Sequence, residues 1–340
     1  MLAGYGGQVN TPNRKLPIGI QDFEDLRQGG YLYVDKTEYI YRLVNSGKPY
    51  FLSRPRRFGK SLFLSTLRAY FEGKKELFYG LEITELEKDA PDAWQKHPVF
   101  YVDFNRDEYK SEHTIEKVLE AHLSKWESTY EVDKGEYTLA GRFQNLIEAA
   151  CEKTGKKAVI LVDEYDKPLL EAADPERAEH NKAVFKGFFS TLKSYDRYIK
   201  FVFITGVTKF SKVSIFSDLN QLNDISLDKE YSGICGVTEE ELKATFAPEM
   251  DALAEGEELN SDECLAKLKR MYDGYHFSSE SEGVYNPFSL LNAFSKKSFG
   301  MYWFSTGTPT FLIEKIKQSS FDPKRITEGE LYENENVLQD

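Results

Sequence analysis

Cysteine is scarce in this chain: Cys151, Cys235 and Cys264 lie far apart, with no Cys-x-x-Cys pair among them. An odd, scattered set argues against a disulfide framework or a cysteine zinc site and fits a reducing, cytoplasmic setting. Histidine is equally thin, with 5 residues and no two of them four apart. The sequence therefore offers no helical metal pair. No apolar run approaches the ~20 residues of a membrane helix. The first residues, Met1-Leu2-Ala3-Gly4-Tyr5-Gly6-Gly7, lack a basic start and an apolar core, so no secretory signal is expected. Positive charge is also in deficit: 44 basic against 56 acidic residues give a net charge of −12. Non-specific nucleic-acid binding by the whole surface is disfavoured. Arg54, Arg56 and Arg57 form the dense basic patch that any such contact would need.

What is present begins with Ser53-Arg54-Pro55-Arg56-Arg57-Phe58-Gly59-Lys60-Ser61. This string follows an apolar strand, Tyr50-Phe51-Leu52, and opens a helix over 60–71 that carries Phe63, Leu64, Leu67, Tyr70 and Phe71 at helical spacing. A loop ending in Gly-Lys-Ser at a helix start aims backbone N–H groups and the positive end of the helix dipole at an anion. Arg54, Pro55, Arg56, Arg57, Phe58, Gly59, Lys60, Ser61 and Leu62 are the expected nucleotide-binding residues. Lys60 would reach the phosphates, and the Ser61 hydroxyl would sit on Mg²⁺. The general pattern wants glycine where Arg54 stands. A bare Gly-Lys-Ser/Thr arises by chance in roughly one chain in six of this length, so the loop alone does not decide the matter.

A second element narrows the choice. Ala158-Val159-Ile160-Leu161-Val162 reads as a buried parallel strand, and Asp163, Glu164 and Asp166 follow at its C-terminal end, where open α/β sheets place ligands. Asp163 is expected on Mg²⁺ and Glu164 as the residue that orients or deprotonates the attacking water. A third strand, 198–204, ends in Thr205-Gly206-Val207-Thr208. Thr205, with Thr208 as second choice, is a candidate for the γ-phosphate or the water, and a plain turn at Gly206 is the alternative.

Strands alternating with helices predict a parallel sheet covered on both faces. Residues 1–15 are expected to fray, 16–230 to form the core, and 231–340 to form a mostly helical, winged-helix-like lid and the start of a linker. Within the core, a strand is expected near Tyr31-Leu32-Tyr33-Val34, and Tyr33 to Thr37 either wall a base pocket or add an edge strand. Further strands are expected at 97–104 and near 224–227, and helices at 139–153 and 178–194. A helix bearing Ile115, Val118, Leu119, His122, Leu123 and Trp126 makes His122 a packing residue. In the lid, Thr238 and Glu241 form a capping box, a helix spans 263–271, and His276 is read as packing or as a phosphate sensor. Trp303 to Pro309 reads as an interface or a core turn.

These residues together resemble the bacterial AAA-ATPase-like family of P-loop ATPases, often fused to a PD-(D/E)XK nuclease-like domain. The resemblance runs through Leu16-Pro17-Ile18-Gly19-Ile20-Gln21-Asp22-Phe23, Tyr33-Val34-Asp35-Lys36-Thr37, the 54–61 loop and Asp163-Glu164-Tyr165-Asp166-Lys167-Pro168. It continues in Tyr272-Asp273-Gly274-Tyr275-His276-Phe277, Tyr285-Asn286-Pro287-Phe288-Ser289 and Trp303-Phe304-Ser305-Thr306-Gly307-Thr308-Pro309. It implies an additional-strand P-loop fold, AAA- or STAND-like, with ATP and Mg²⁺ as ligands and Glu164, Lys60 and Thr205 at the reacting end. That family's loop also begins without the first glycine. The nuclease-like domain is expected to lie beyond this chain, which should not cut DNA by itself. Three functions stay open: a slowly hydrolysing ATPase switch, a nucleotide-binding scaffold for a nuclease-like partner domain, and a DNA-processing factor.

Overall fold

The computed structural model describes residues 14–47, 49–135, 137–208, 222–278 and 280–302. Five strands build one parallel sheet: β1 (Tyr50–Ser53), β2 (Val99–Asp103), β3 (Ala158–Asp163), β4 (Ile199–Gly206) and β5 (Asn223–Asp224). Their order is β2-β3-β4-β1-β5. β4 is thus inserted between the loop-bearing β1 and the acidic β3, which is the additional-strand arrangement of a P-loop core. Parallel pairing of Leu52 with Thr205 and of Val162 with Ile204 brings the C-terminal ends of β1, β4 and β3 to one level. That edge is where the expected site residues gather.

Strand alternation sorts the core into two layers. Phe51, Phe100, Val102, Ile160, Val162, Val202 and Ile204 face one side. There they meet α5 (Thr114–Tyr130), α6 (Leu139–Thr154), the short α7 (Lys167–Leu170) and α8 (Pro175–Phe189). Tyr50, Leu52, Val159, Leu161, Phe201 and Phe203 face the other side, against α2 (Thr37–Ser46) and α3 (Lys60–Phe71), in one cluster with residues of α1 (Phe23–Gln28) and α4 (Glu82–Leu86). Every residue of β3 is buried, as an unbroken apolar run between two helical layers requires. His122 is buried in the first layer, its ring stacked on Trp126 at 5.4 Å.

A third cluster, including Leu242, Phe246, Leu253, Leu268, Tyr285, Leu290 and Phe294, joins α10 (Glu239–Gly256), α11 (Ser261–Tyr272) and α12 (Pro287–Lys296). Pro248, which can neither donate to the helix nor avoid its preceding turn, accompanies a kink at Phe246 in α10. Thr238 and Glu241 form the expected capping box, and Asn260 with Glu263 forms a second that the sequence reading passed over. Thr238→Ala should lower the unfolding free energy by about 1 kcal/mol. A denaturation midpoint that does not move would show that this box contributes nothing to stability. Two isolated antiparallel bridges, Val237 with Tyr285 and Tyr275 with Val284, complete the region among the described residues.

Three expectations need correction. The strand expected near 224–227 is the two-residue β5, which ends before Ile225. Tyr31 to Val34 forms no strand: Tyr31 makes a single bridge to Lys15, and the segment is held by side-chain packing such as Tyr33 against Phe23. Among the described residues it pairs with no strand. The helix expected over 178–194 is α8 followed by a short α9 (Thr191–Ser194), broken at Ser190. Trp303 to Pro309, and residues 1–13 at the expected frayed end, lie outside the described residues.

Candidate functional site

The chain turns from β1 into α3 through two left-handed residues, Arg57 (φ 68°) and Gly59 (φ 95°). A Cβ on Gly59 would meet nothing within 4 Å, so this glycine serves the backbone angle and not a shortage of space. No side chain caps α3, which leaves its first N–H groups and its dipole to attract an anion. Lys60 opens the helix with its side chain folded back into the loop. Its Nζ donates to Arg54 O at 3.0 Å and Pro55 O at 3.3 Å, and lies 3.2 Å from Glu164 Oε1.

Arg54 departs from the expected phosphate contact. Its side chain is 1% exposed and donates to the carbonyls of Ser53, Ser226 and Tyr231 at 2.9, 2.7 and 3.0 Å. The guanidinium also stacks 3.8 Å from the Phe277 ring centre. It grips the protein behind the loop, and burial pushes its pKa down to about 10, so it stays charged at neutral pH. Pro55 contributes its carbonyl to Lys60. Arg56 and Arg57 line the cavity described below, with Arg57 4.2 Å over Phe288. Phe58 is buried against Tyr275 and Phe277, with ring centres 4.6 and 5.8 Å away, and its carbonyl accepts from Gly236 N at 3.0 Å.

Asp163 closes β3 and is 2% exposed. Its Oδ1 accepts from Thr205 Oγ1 at 2.7 Å and its Oδ2 from Tyr101 at 3.3 Å. Thr205 is therefore spent on orienting Asp163. Gly206 belongs to β4, and an added Cβ would meet the Tyr165 ring at 2.4 Å, so close packing and not a turn explains it. Glu164 sits at φ 52°, a strained angle for this residue type. Burial lifts its carboxyl above the ordinary range; the Lys60 ammonium opposes that, and Asp163 and Asp166 add to it. Asp166 had no assigned role. Its Oδ2 accepts from Val207 N, Thr208 N and Thr208 Oγ1 at 2.9, 2.6 and 2.6 Å, pinning the segment after β4. A buried acid at a strand end was visible in sequence, but its partners lie some forty residues on and could not be seen.

A cavity of about 460 Å³ lies before this edge. Its lining includes the charged and polar Arg56, Arg57, Lys60, Ser61 and Glu164 and the apolar Ile20, Leu32, Val34, Phe246, Leu290 and Leu291. Tyr33 and Lys36 line it too, so the lead-in segment does wall the cavity. The string around them is a clasp: Asp35 accepts from Thr37 N and Glu82 N, and Lys36 donates to Gly233 O and to Glu241 of α10. His276 is exposed, with Nδ1 3.4 Å from Ser281 O, and is not among the lining residues.

Residues 17–216 match the family model described as Predicted AAA-ATPase. The chain belongs to that family. An AAA-ATPase-like chain of this kind has a P-loop-type core, and the family supports nucleotide binding in general. A protein of Azotobacter chroococcum mcd 1, titled "Uncharacterized protein in vnfD 5'region", is 41% identical over 313 residues. The aligned part is 91% of this AAA-ATPase-like chain and 58% of that protein, so the chain spans less than two thirds of its relative's length. No helix among the described residues is long and apolar enough to cross a membrane.

Proposed function

We propose that this chain binds Mg²⁺–ATP in the cavity between core and lid and hydrolyses it slowly, as a regulatory switch. One observation carries the reading. Lys60, at an uncapped helix start, and Glu164, at the end of the acidic strand, come from distant parts of the sequence and meet at 3.2 Å on the cavity wall. Lys60, Arg56, Arg57 and the loop backbone would take the phosphates, and the apolar lining residues the base. Ser61 on the cavity wall and Asp163, which is buried and not among the lining residues, would supply hydroxyl and carboxylate oxygens of the kind Mg²⁺ prefers, Asp163 through the ion's water shell. The metal would neutralise charge on the phosphates. Thr205 and Tyr101 hold Asp163 in one orientation. Glu164, its carboxyl raised by burial, would take a proton from water.

On this reading residues 16–230 act as the ATPase core and 231–340 as a lid leading onward, and the three free cysteines suit work in the cytoplasm. The greater length of the Azotobacter protein favours a further region, for which a nuclease-like domain is our proposal. The DNA-processing alternative loses support, because Arg54 of the basic patch is buried.

Glu164→Gln should keep ATP affinity within about threefold while removing phosphate release, because it retains the shape and loses the base. Asp163→Asn should weaken only the Mg²⁺-dependent part of binding. Calorimetry and a phosphate-release assay check both. Wild-type release no higher than the Glu164→Gln blank would replace the switch with a non-hydrolysing scaffold.

A further inference from the structure

Away from the nucleotide cavity, the fold assembles a cluster that the histidine spacing hides. His113 precedes α5, Glu116 lies in its first turn, and His180 comes from α8. One ligand atom from each falls within 4.8 Å of the other two. His113 Nδ1 is 3.3 Å from Glu116 Oε1, and His180 Nε2 is 2.7 Å from the same oxygen. The two imidazole rings stand edge to face, 5.8 Å apart.

We propose that His113, Glu116 and His180 form a binding site for a late first-row divalent cation, with Zn²⁺ the best match. Zinc takes imidazole nitrogen and carboxylate oxygen at about 2.0–2.2 Å in a tetrahedron, so its ligand atoms lie about 3.3–3.5 Å from one another. The His113–Glu116 pair already has that separation, and the His180–Glu116 pair needs to open by less than about 1 Å. The other carboxylate oxygen, Glu116 Oε2, is buried and without a hydrogen-bond partner among the described residues. It is available for a second bond to a metal. His113 is exposed, which leaves a further position to water. Its backbone is left-handed, at φ 57° and ψ 21°, where the chain enters α5.

The surroundings favour a cation. His180 borders a polar hollow shared with Glu112, Asp174, Glu176 and Arg177, and the arginine is occupied by Glu112 at 3.1 Å. Two nitrogen donors select against Mg²⁺, which prefers an all-oxygen shell. The metal required for ATP would therefore not compete. A bound ion would tie the start of α5 to the middle of α8, the helices that follow β2 and β3.

The test uses the full 340-residue chain, stripped with a chelator and titrated with ZnCl₂ by calorimetry in buffer with saturating Mg²⁺. One site per chain is expected, together with a visible absorption band when Co²⁺ replaces Zn²⁺. The His113→Ala/His180→Ala pair should lose about a hundredfold in affinity, and His276→Ala should lose none. His180→Gln, which keeps a donor for Glu116 but not the ring, should behave like the ligand deletions even if the double variant folds poorly. No uptake at about 100 μM Zn²⁺, or undiminished binding in His180→Gln, would overturn the site and leave the cluster as a charge-assisted hydrogen bond. Neither result bears on ATP binding, which is read in Mg²⁺ alone.

Discussion

Replacing Lys60 with alanine is expected to weaken ATP binding about ten- to a hundredfold, a loss of roughly 1.5–3 kcal/mol. Its Nζ lies 3.2 Å from Glu164, and its helix start is uncapped. An incoming phosphate would replace the carbonyls of Arg54 and Pro55 and the Glu164 carboxylate as its partners. The substitution has a second effect. Glu164 is buried and already holds its carboxyl above the ordinary range with Lys60 present. Without that ammonium its pKa should rise further, so any residual turnover should need a higher pH than in wild type. Lys60→Met, which fills the space without the charge, should lose as much affinity as Lys60→Ala. Unchanged affinity by calorimetry in either variant, with the fold intact by circular dichroism, would end the phosphate-loop reading.

Arg54→Gly, the change that recreates the usual first glycine of a phosphate loop, should destabilise the protein by about 2–4 kcal/mol. The guanidinium satisfies the buried carbonyls of Ser226 and Tyr231, and each acceptor left without a donor costs about 1–3 kcal/mol before water or relaxation offsets it. The lost stacking on Phe277 adds to this. Arg54→Lys should not restore stability, since one ammonium on a flexible stem cannot serve these carbonyls in a plane and stack at once. Urea denaturation of the three proteins measures it. A midpoint for Arg54→Gly at or above that of wild type would show the arginine to be dispensable, and the missing glycine would then need another explanation.

Local pattern carried much of the architecture. The Tyr50–Leu52 strand, the α3 helix with its five aligned apolar residues and the all-apolar β3 were readable because each is a short-range period. The order of strands was implied by family resemblance and not by any such period. Side-chain destinations were the weakest part of the reading. Arg54 looked like a phosphate ligand because its neighbours are basic, yet the acceptors that claim it lie at 226 and 231. Thr205 looked free at a strand end, but the next strand places Asp163 beside it. The lone histidines at 113 and 180 became neighbours only when α5 and α8 packed side by side. In each case the deciding partner is remote in sequence, and no window of residues contains both.

Phe58 stands at the turn of the loop, yet it is clamped between Tyr275 and Phe277, while Phe277 also carries Arg54 and Phe288 carries Arg57. The loop and the segment from 275 to 288 therefore share one aromatic joint. Were a ligand on the loop to reposition that segment, thermodynamic reciprocity would make the joint a two-way lever. A pull on the segment from outside would then return as an equal change in the hold on that ligand. A partner on the far side of this region would loosen or tighten what the loop holds without ever touching it.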